Sequence, residues 1–166
     1  SLTVVMRNNT DANVGRIELS GTARDAAGTL VGSGSDQGIS PSVVAPGEIA
    51  YGYVYFGSDV PADAMFEISV SSDARSSKVP VAITEVSLVG DSLVGIVTND
   101  GDTEVSGPIA VDGVCFAADG SVSGDFGAFT EQDTLAPGAS GSFSSDFYGE
   151  ADQCQRGLIS ASGFDF

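Results

Sequence analysis

The segment 99–104, which reads NDGDTE, has the residue types and spacing best suited to chemistry in this chain. Oxygen-bearing side chains at alternating positions around a glycine could surround a calcium ion, which takes about six to eight oxygen ligands. The candidate calcium ligands are Asn99, Asp100, Asp102 and Glu104. The full twelve-residue calcium loop is missing, because Gly107 and Pro108 stand where further ligands should be. Since Asn-Asp and Asp-Gly pairs also make ordinary turns, a purely structural turn is the alternative.

A second candidate site is a row of three tyrosines at alternate positions, Tyr51, Tyr53 and Tyr55. Alternation places all three side chains on one face of a strand. An exposed tyrosine row could form a flat platform for a glycan or a protein partner, so these residues are the candidate ligand-binding residues. The alternative is that the row faces the core or a junction between domains.

The composition argues against catalysis. Histidine is absent from all 166 residues, which removes the usual general base, the Ser-His and Cys-His nucleophile pairs and histidine metal sites. Paired carboxylates such as Asp100 and Asp102 have no apolar or aromatic residues beside them to build a substrate cleft. We therefore predict that the protein is not an enzyme, has no catalytic residues and has no cofactor apart from the calcium hypothesis.

The two cysteines, Cys115 and Cys154, are predicted to form one disulfide. It would close a loop of about 40 residues and stabilise the fold by about 4 kcal/mol in the chain-entropy model. Two separate buried thiols are the alternative. A disulfide indicates an oxidising compartment, so we predict a secreted or cell-surface protein. The sequence shows no signal peptide and no apolar run of transmembrane length, and we expect an export signal upstream.

The net charge of −17 restricts the class of partner. Nucleic-acid binding needs a basic face that replaces phosphate counterions, and this chain has one lysine and five arginines against 23 acidic residues. We therefore predict no nucleic-acid partner, and an anionic membrane surface is excluded on the same ground. The predicted partner is an unknown extracellular protein or glycan.

The elements that must carry these residues are predicted to be short strands. Val, Ile, Phe and Tyr occur in short runs between Gly, Asp, Ser and Pro clusters, and no window has a clear helical period. The stretch 17–31 has a counterpart at 111–122, and Ala45-Pro46-Gly47 recurs 91 residues later. We predict an all-β protein of two tandem immunoglobulin-like antiparallel β-sandwiches. Residues 1–72 would form the first, 73–80 a linker and 81–166 the second, which holds the disulfide.

The two predicted modules differ by one strand. The strand predicted at 81–89 has no counterpart in the first module, so the first module lacks its first strand. That strand could lie upstream, or another chain could supply it by strand addition, which would allow self-association through an open strand edge. The small-residue stretch 33–40 is predicted to be a loop, and 65–70 is predicted to close the first module.

The order of turns and strands resembles the FxLYD-type and related immunoglobulin-like modules of secreted bacterial and archaeal proteins, many of them lipoproteins. The matching residues in the second half are Asn99, Phe116 to Gly120, Ala136 to Gly138 and 146–149 (DFYG). The first half matches at Asn8, Asp25 to Gly28, Ala45 to Gly47 and Tyr55-Phe56-Gly57. The chain departs from the family at Phe147, where a leucine is expected.

The resemblance implies a small β-sandwich on an exported protein and carries over no catalytic residues. It suggests a non-catalytic structural spacer or interaction module on the cell surface. Two alternatives are a carbohydrate- or protein-binding adhesin module and a strand-exchanging fibre subunit.

Overall fold

The computed structural model describes residues 1–57, 59–74, 76–149 and 151–165. The chain divides into two compact units, Ser1–Ser76 and Ser77–Phe166, called unit 1 and unit 2 below. Ser58, Arg75, Glu150 and Phe166 lie outside the described residues, and with them small parts of the predicted modules and of the predicted linker.

The strands of unit 1 are hydrogen-bonded into one antiparallel network, in the order β1-β5-β3-β2. Two further strands pair with β2, β4 at its beginning and β6 along most of its length. The strands are β1 (Leu2–Arg7), β2 (Val14–Arg24), β3 (Leu30–Ser40), β4 (Val43–Val44), β5 (Ile49–Phe56) and β6 (Met65–Asp73).

Among the described residues, unit 2 has eight strands, two more than unit 1. Its order is β12-β8-β7-β14-β9-β10-β13, and β11 pairs with the beginning of β9. The strands are β7 (Lys78–Val89), β8 (Ser92–Thr98), β9 (Val105–Phe116), β10 (Val122–Phe129), β11 (Thr134–Leu135), β12 (Ser140–Asp146), β13 (Tyr148–Gly149) and β14 (Arg156–Phe164).

The predicted all-β class, with antiparallel β-sandwiches, is confirmed. Within the described ranges the only helical segment is a single 3-10 turn, Ala151–Gln153. None of the helical structure in those ranges is long and apolar enough to cross a bilayer. All strand pairings among the described residues are antiparallel, and two of them, β2–β3 and β9–β10, are hairpins closed by short turns at 25–28 and 117–120.

Period-two alternation produces the core of each unit. Along β9, Ile109, Val111 and Gly113 point inward while Ala110 and Asp112 are half-buried between them. The unit 2 core consists of Val81, Val97, Val105, Ile109, Val111, Phe126, Leu135, Phe143 and Ala161. The buried apolar residues of unit 1 are Leu19, Ala23, Val44, Ala50, Tyr51 and Val54.

The strands leave less room for a linker than the predicted 73–80, and the first strand of unit 2 starts before the predicted Val81. Strand β6 runs to Asp73, and β7 already begins at Lys78. Pro80 is tolerated inside β7 because the pairing with β8 starts only at Ala82, so the ladder on that side has no bond to lose at Pro80. The alternation of Val79, Val81 and Ile83 toward the core is what holds this segment as a strand.

The prediction of a loop at 33–40 is wrong, because this stretch belongs to strand β3. Its Gly and Ser residues have low strand propensity, but β3 is paired with β2 on one side and β5 on the other. Tertiary pairing outweighs the local preference. A side chain at Gly34 would overlap the carbonyl group of Tyr55, so the close approach of β5 needs a glycine there.

Of the two additional strands of unit 2, β7 lies where the sequence indicated one. Strand β7 pairs with β14 through Lys78–Val81 and with β8 through Ala82–Val89, so it joins two strands that do not pair with each other. Their counterparts in unit 1 are β6 and β1. Within the described residues, β1 pairs only with β5 and β6 only with β2.

Candidate functional site

The predicted calcium loop is built around a buried asparagine. Asn99 directly follows β8 and is only 2 % exposed. Its side-chain Nδ2 donates to the carbonyl oxygens of Thr103 (2.7 Å) and Leu135 (2.8 Å), and its Oδ1 accepts from the backbone N–H of Gly101 (3.0 Å). The amide is therefore fully used inside the protein, closing the loop and joining it to β11.

Unit 1 contains the same arrangement at Asn8. Its Nδ2 donates to the carbonyl oxygens of Ala12 (2.8 Å) and Val44 (2.9 Å), and its Oδ1 accepts from the backbone N–H (3.0 Å) and the hydroxyl (2.7 Å) of Thr10. We call each of these two buried amides, Asn8 and Asn99, an asparagine clamp. The recurrence of the same bonds 91 residues apart shows that the clamp belongs to the scaffold of both units.

Each clamp is also bonded through its backbone to the Ala-Pro-Gly turn of its unit. Gly47 N–H donates to the Asn8 carbonyl, and Gly138 N–H donates to the Asn99 carbonyl, both at 2.8 Å. Both turns are closed by a bond back to their own alanine, at Ala45 and Ala136. The motif that carries the family resemblance is thus one hydrogen-bonded unit made of two segments that are distant in sequence.

The carboxylates of the calcium hypothesis do not converge. Asp100, Asp102 and Glu104 are exposed, and the oxygen of Asn99 is engaged with Gly101. In the part of the chain that the structure describes, no three His, Cys, Asp or Glu side chains group closely enough to hold a metal ion. The segment is a clamped turn, and calcium binding stays a prediction.

The tyrosine row runs from the core to the surface. Tyr51 is 2 % exposed, Tyr53 is half-buried and Tyr55 is 48 % exposed. Strand β5 lies between β1 and β3, which explains the burial of its first half. A platform of three exposed rings is therefore not formed, and Tyr55 is the ring of this row that solvent reaches most.

The predicted disulfide between Cys115 and Cys154 is confirmed, with a Cα–Cα distance of 5.3 Å. Cys115 lies near the end of β9, and Cys154 follows the 3-10 turn. Next to it, Gln155 N–H donates to the Phe116 carbonyl (2.9 Å) and begins the pairing of β14 with β9. The disulfide therefore fastens the loop before β14 at the point where β14 starts. It is weakly compatible with an extracellular location.

The turns at 25–28 (DAAG) and 117–120 (AADG) use their aspartates as local acceptors. Asp119 accepts the hydroxyl (2.6 Å) and the backbone N–H (2.9 Å) of Ser121. The Ser121 hydroxyl, followed by its N–H, lowers the pKa of Asp119 below its ordinary value, because both bonds favour the charged form. In unit 1, Asp25 accepts the N–H groups of Ala27 and Thr29.

The feature that residue chemistry did not reveal is a cavity of about 240 Å³ in unit 1. It lies between the end of β1 and the end of β6, with Val44 and Ala50 from the core among its lining residues. The signal for it in the sequence was indirect, namely that the strand predicted at 81–89 has no counterpart in the first half.

Comparisons with known proteins add no relative: no family model matches this chain, and neither the curated proteins nor the solved structures contain a match.

Proposed function

We propose that this protein is a non-catalytic, exported, cell-surface protein whose tandem β-sandwiches act as a structural spacer or interaction module. The observation that carries the proposal is the repeated asparagine clamp. Asn99, whose place in the acidic segment suggested a calcium ligand, has its donors and its acceptor satisfied within the scaffold. The same bonds recur at Asn8, so the same amide side chain joins distant segments of the scaffold in both units.

Charge and cross-linking support an exterior location. Unit 2 carries fourteen acidic residues against two basic ones, and unit 1 nine against four. Such a surface keeps a protein soluble and repels anionic partners. The disulfide lies in the more acidic unit, where it offsets part of the electrostatic self-repulsion. The likeness to FxLYD-type modules of secreted proteins and lipoproteins agrees with this proposal.

Adhesion through the tyrosine row is a weaker alternative, because Tyr51 is buried. Strand exchange at unit 1 is the other alternative, and the observation that favours it is the cavity between the ends of β1 and β6.

The spacer role is tested by pulling the intact chain from its two ends with optical tweezers. We expect two unfolding events, one per unit. Without reductant, the disulfide prevents the segment between Cys115 and Cys154 from extending under force, and these cysteines are 39 positions apart. Reduction should increase the chain length released when unit 2 unfolds by about 130–140 Å, at roughly 3.3–3.6 Å per residue. The length released by unit 1 should not change.

The matched control is the Cys115→Ser variant, whose unfolding lengths should not respond to reductant. A single unfolding event for the whole chain, or unfolding at forces no greater than those that stretch a disordered chain, would contradict a spacer of two folded units.

A further inference from the structure

Asn8, the asparagine clamp of unit 1, is also the first residue of the sequence Asn8-Asn9-Thr10. Asn-X-Ser/Thr, with any residue except proline in the middle, is the acceptor sequence for N-linked glycosylation of secreted proteins. The other asparagines of the chain, Asn9, Asn13 and Asn99, have no serine or threonine two residues later. The one sequence of this type in the chain therefore coincides with a buried side chain of the scaffold.

Transfer of a glycan to Asn8 needs side-chain groups that the fold of unit 1 already uses. The glycan bonds to the side-chain nitrogen, and Asn8 Nδ2 donates its two hydrogens to the carbonyl oxygens of Ala12 (2.8 Å) and Val44 (2.9 Å). The Thr10 hydroxyl, which is part of the acceptor sequence, donates to Asn8 Oδ1 (2.7 Å). Asn8 is only 6 % exposed, whereas an acceptor asparagine lies in a surface loop. The folded unit therefore withholds Asn8 from a transferase.

A glycan on Asn8 would in turn prevent the clamp from forming. Attachment replaces one of the two hydrogens on Nδ2, so one of the carbonyls of Ala12 and Val44 loses its donor. The bond to the Val44 carbonyl is buried, and the sugar would have to be accommodated where the fold leaves Asn8 almost no exposed surface. Glycosylation of Asn8 and folding of unit 1 therefore exclude each other.

Unit 2 shows that the clamp does not require the acceptor sequence. Gly101 holds the place of Thr10, since the backbone N–H of each donates to the Oδ1 of its clamp at 3.0 Å. Asn99-Asp100-Gly101 makes the clamp without a hydroxyl and is not an acceptor sequence. The amide is thus common to both scaffolds, and the signal for a transferase belongs to unit 1 alone.

We infer that Asn8 is a latent N-glycosylation site, which an oligosaccharyltransferase reaches only while unit 1 is unfolded. The donor is a lipid-linked oligosaccharide. Asn8 Nδ2 forms a bond to the anomeric carbon of the first sugar and gives up a proton to a base of the transferase. The bond from that carbon to the phosphate oxygen of the lipid breaks, and the lipid phosphate leaves with the electron pair.

Each new chain therefore takes one of two courses. It folds unit 1 and stays unmodified at Asn8, or it acquires a glycan there and unit 1 remains unfolded. The inference goes beyond the proposed function and rests on it only for export, which brings the chain to a membrane-bound donor.

The test offers the whole chain to a purified oligosaccharyltransferase with its lipid-linked oligosaccharide and maps the glycan by mass spectrometry. The positive control is Asp119→Asn, which places an acceptor sequence at 119–121 in an exposed turn of unit 2. In the folded variant we expect a glycan at position 119. Asn8 of the same molecule should carry at least about a hundredfold less, because it becomes accessible only when unit 1 opens.

Two further variants show that the fold is what protects Asn8. Val44→Asp puts a charge at a position that is 2 % exposed and should unfold unit 1, so glycosylation of Asn8 should rise at least about tenfold. Adding Thr10→Ala to this variant should abolish the modification, and adding Thr10→Ser should keep it.

A second measurement follows the modified chains of the parent sequence. Chains that acquire the glycan during cell-free synthesis with the transferase present are separated from unmodified ones, and hydrogen exchange is compared between the two. In the glycosylated chains, unit 1 should have lost its protection while unit 2 keeps it.

Three results would overturn the inference. The first is modification of Asn8 in the folded chain as efficient as that of position 119. The second is an Asn8 that stays unmodified in Val44→Asp while position 119 is modified in its own variant. The third is a glycosylated chain whose unit 1 is protected as in the unmodified protein. None of them bears on the spacer function, which the force measurement tests on the unmodified chain.

Discussion

At the residue scale, the asparagine clamps explain the chemistry-like spacing of 99–104. Asn99 uses both donors and its acceptor within the fold, and the Leu135 carbonyl that it bonds is 36 residues away. An amide is suited to this position because it donates and accepts at once, whereas an ionised carboxylate can only accept. The acidic residues beside it are the exposed remainder of the turn.

The Asn99→Ala substitution should lower the free energy of unfolding of unit 2 by about 1–3 kcal/mol, because it leaves the buried Leu135 carbonyl without a donor. Denaturant melts in EDTA measure the change. The exposed neighbour variant Asp100→Ala is the control and should stay within about 0.5 kcal/mol of the parent. Equal effects of the two substitutions would mean that the clamp adds no stability.

The Asp119 turn makes a prediction about pH. Its pKa is lowered by the Ser121 hydroxyl and N–H, so the stabilisation is present above the ordinary aspartate value of 3.8 and is lost as the pH falls through the lower folded-state pKa. Removing the hydroxyl with Ser121→Ala should raise the pKa of Asp119 toward 3.8. An NMR titration that follows the side-chain carboxyl group measures the pKa of Asp119. Ser123→Ala is the control variant and should leave this pKa unchanged. An unchanged Asp119 titration in Ser121→Ala would contradict this account.

At the scale of the elements, glycines inside strands mark where aromatic rings cross the sheet. Gly113 of β9 lies opposite Phe126 of β10, and a Cβ at Gly113 would overlap the phenyl ring. In unit 1, Gly21 faces Ile68, Phe56 and Val54 in the same manner. A glycine that looks like a weak point of the strand is therefore a packing requirement.

Gly113→Ala should destabilise unit 2 by about 1–3 kcal/mol through overpacking against Phe126. Gly127→Ala is the matched control on β10, since its new Cβ would meet only the Asp112 carboxylate at 3.5 Å. Thermal and denaturant melts compare the two. The double variant Gly113→Ala/Phe126→Leu should recover part of the lost stability. If it recovers none, overpacking against the Phe126 ring is not the cause of the destabilisation.

The disulfide acts on one element, the loop that leads into β14. Closing a loop over 39 positions contributes about 4 kcal/mol in the chain-entropy model. Reduction, or Cys154→Ser, should therefore lower the melting transition of unit 2 and leave that of unit 1 unchanged. Calorimetry with and without reductant measures the melting transitions of the two units separately. A shift of both melting transitions, or of neither, would contradict a stabilising effect of the disulfide that is confined to unit 2.

At the scale of the whole molecule, charge opposes folding. The net charge of −17 is concentrated in unit 2, where the acidic excess is twelve against five in unit 1. Self-repulsion of this kind is screened by salt, with a Debye length of about 10 Å at 0.1 M.

Monovalent salt should therefore raise the melting temperature, and more for unit 2 than for unit 1. Melts in calcium and in EDTA at matched ionic strength separate screening from specific binding. Because the carboxylates near Asn99 do not converge in the described residues, coincident curves would leave screening as the whole effect. A saturable calcium shift that Asp100→Asn or Asp102→Asn abolishes would establish the calcium site instead; saturation at a hundredfold excess over the dissociation constant corresponds to about 2.7 kcal/mol.

The sequence by itself determined the local features. The Asp-Gly and Pro-Gly turns, the all-β class, the repeat and the pairing of the two cysteines follow from short-range preferences and from there being only two cysteines. Gly28 and Gly120 have φ values of +84° and +85°, a conformation that glycine adopts without strain. Such signals are complete within a few residues, so they can be interpreted without knowing the fold.

Only the tertiary structure decided which partners distant segments find. Strand β3 is a strand because β2 and β5 lie on either side of it, and Asn99 is buried because β11 returns to it. Tyr51 and Tyr55 share one pattern yet differ in burial, because burial depends on what covers each end of β5. The cavity between the ends of β1 and β6 is the clearest case. The sequence indicated that a strand has no counterpart, but only long-range pairing determines which two edges that strand would join.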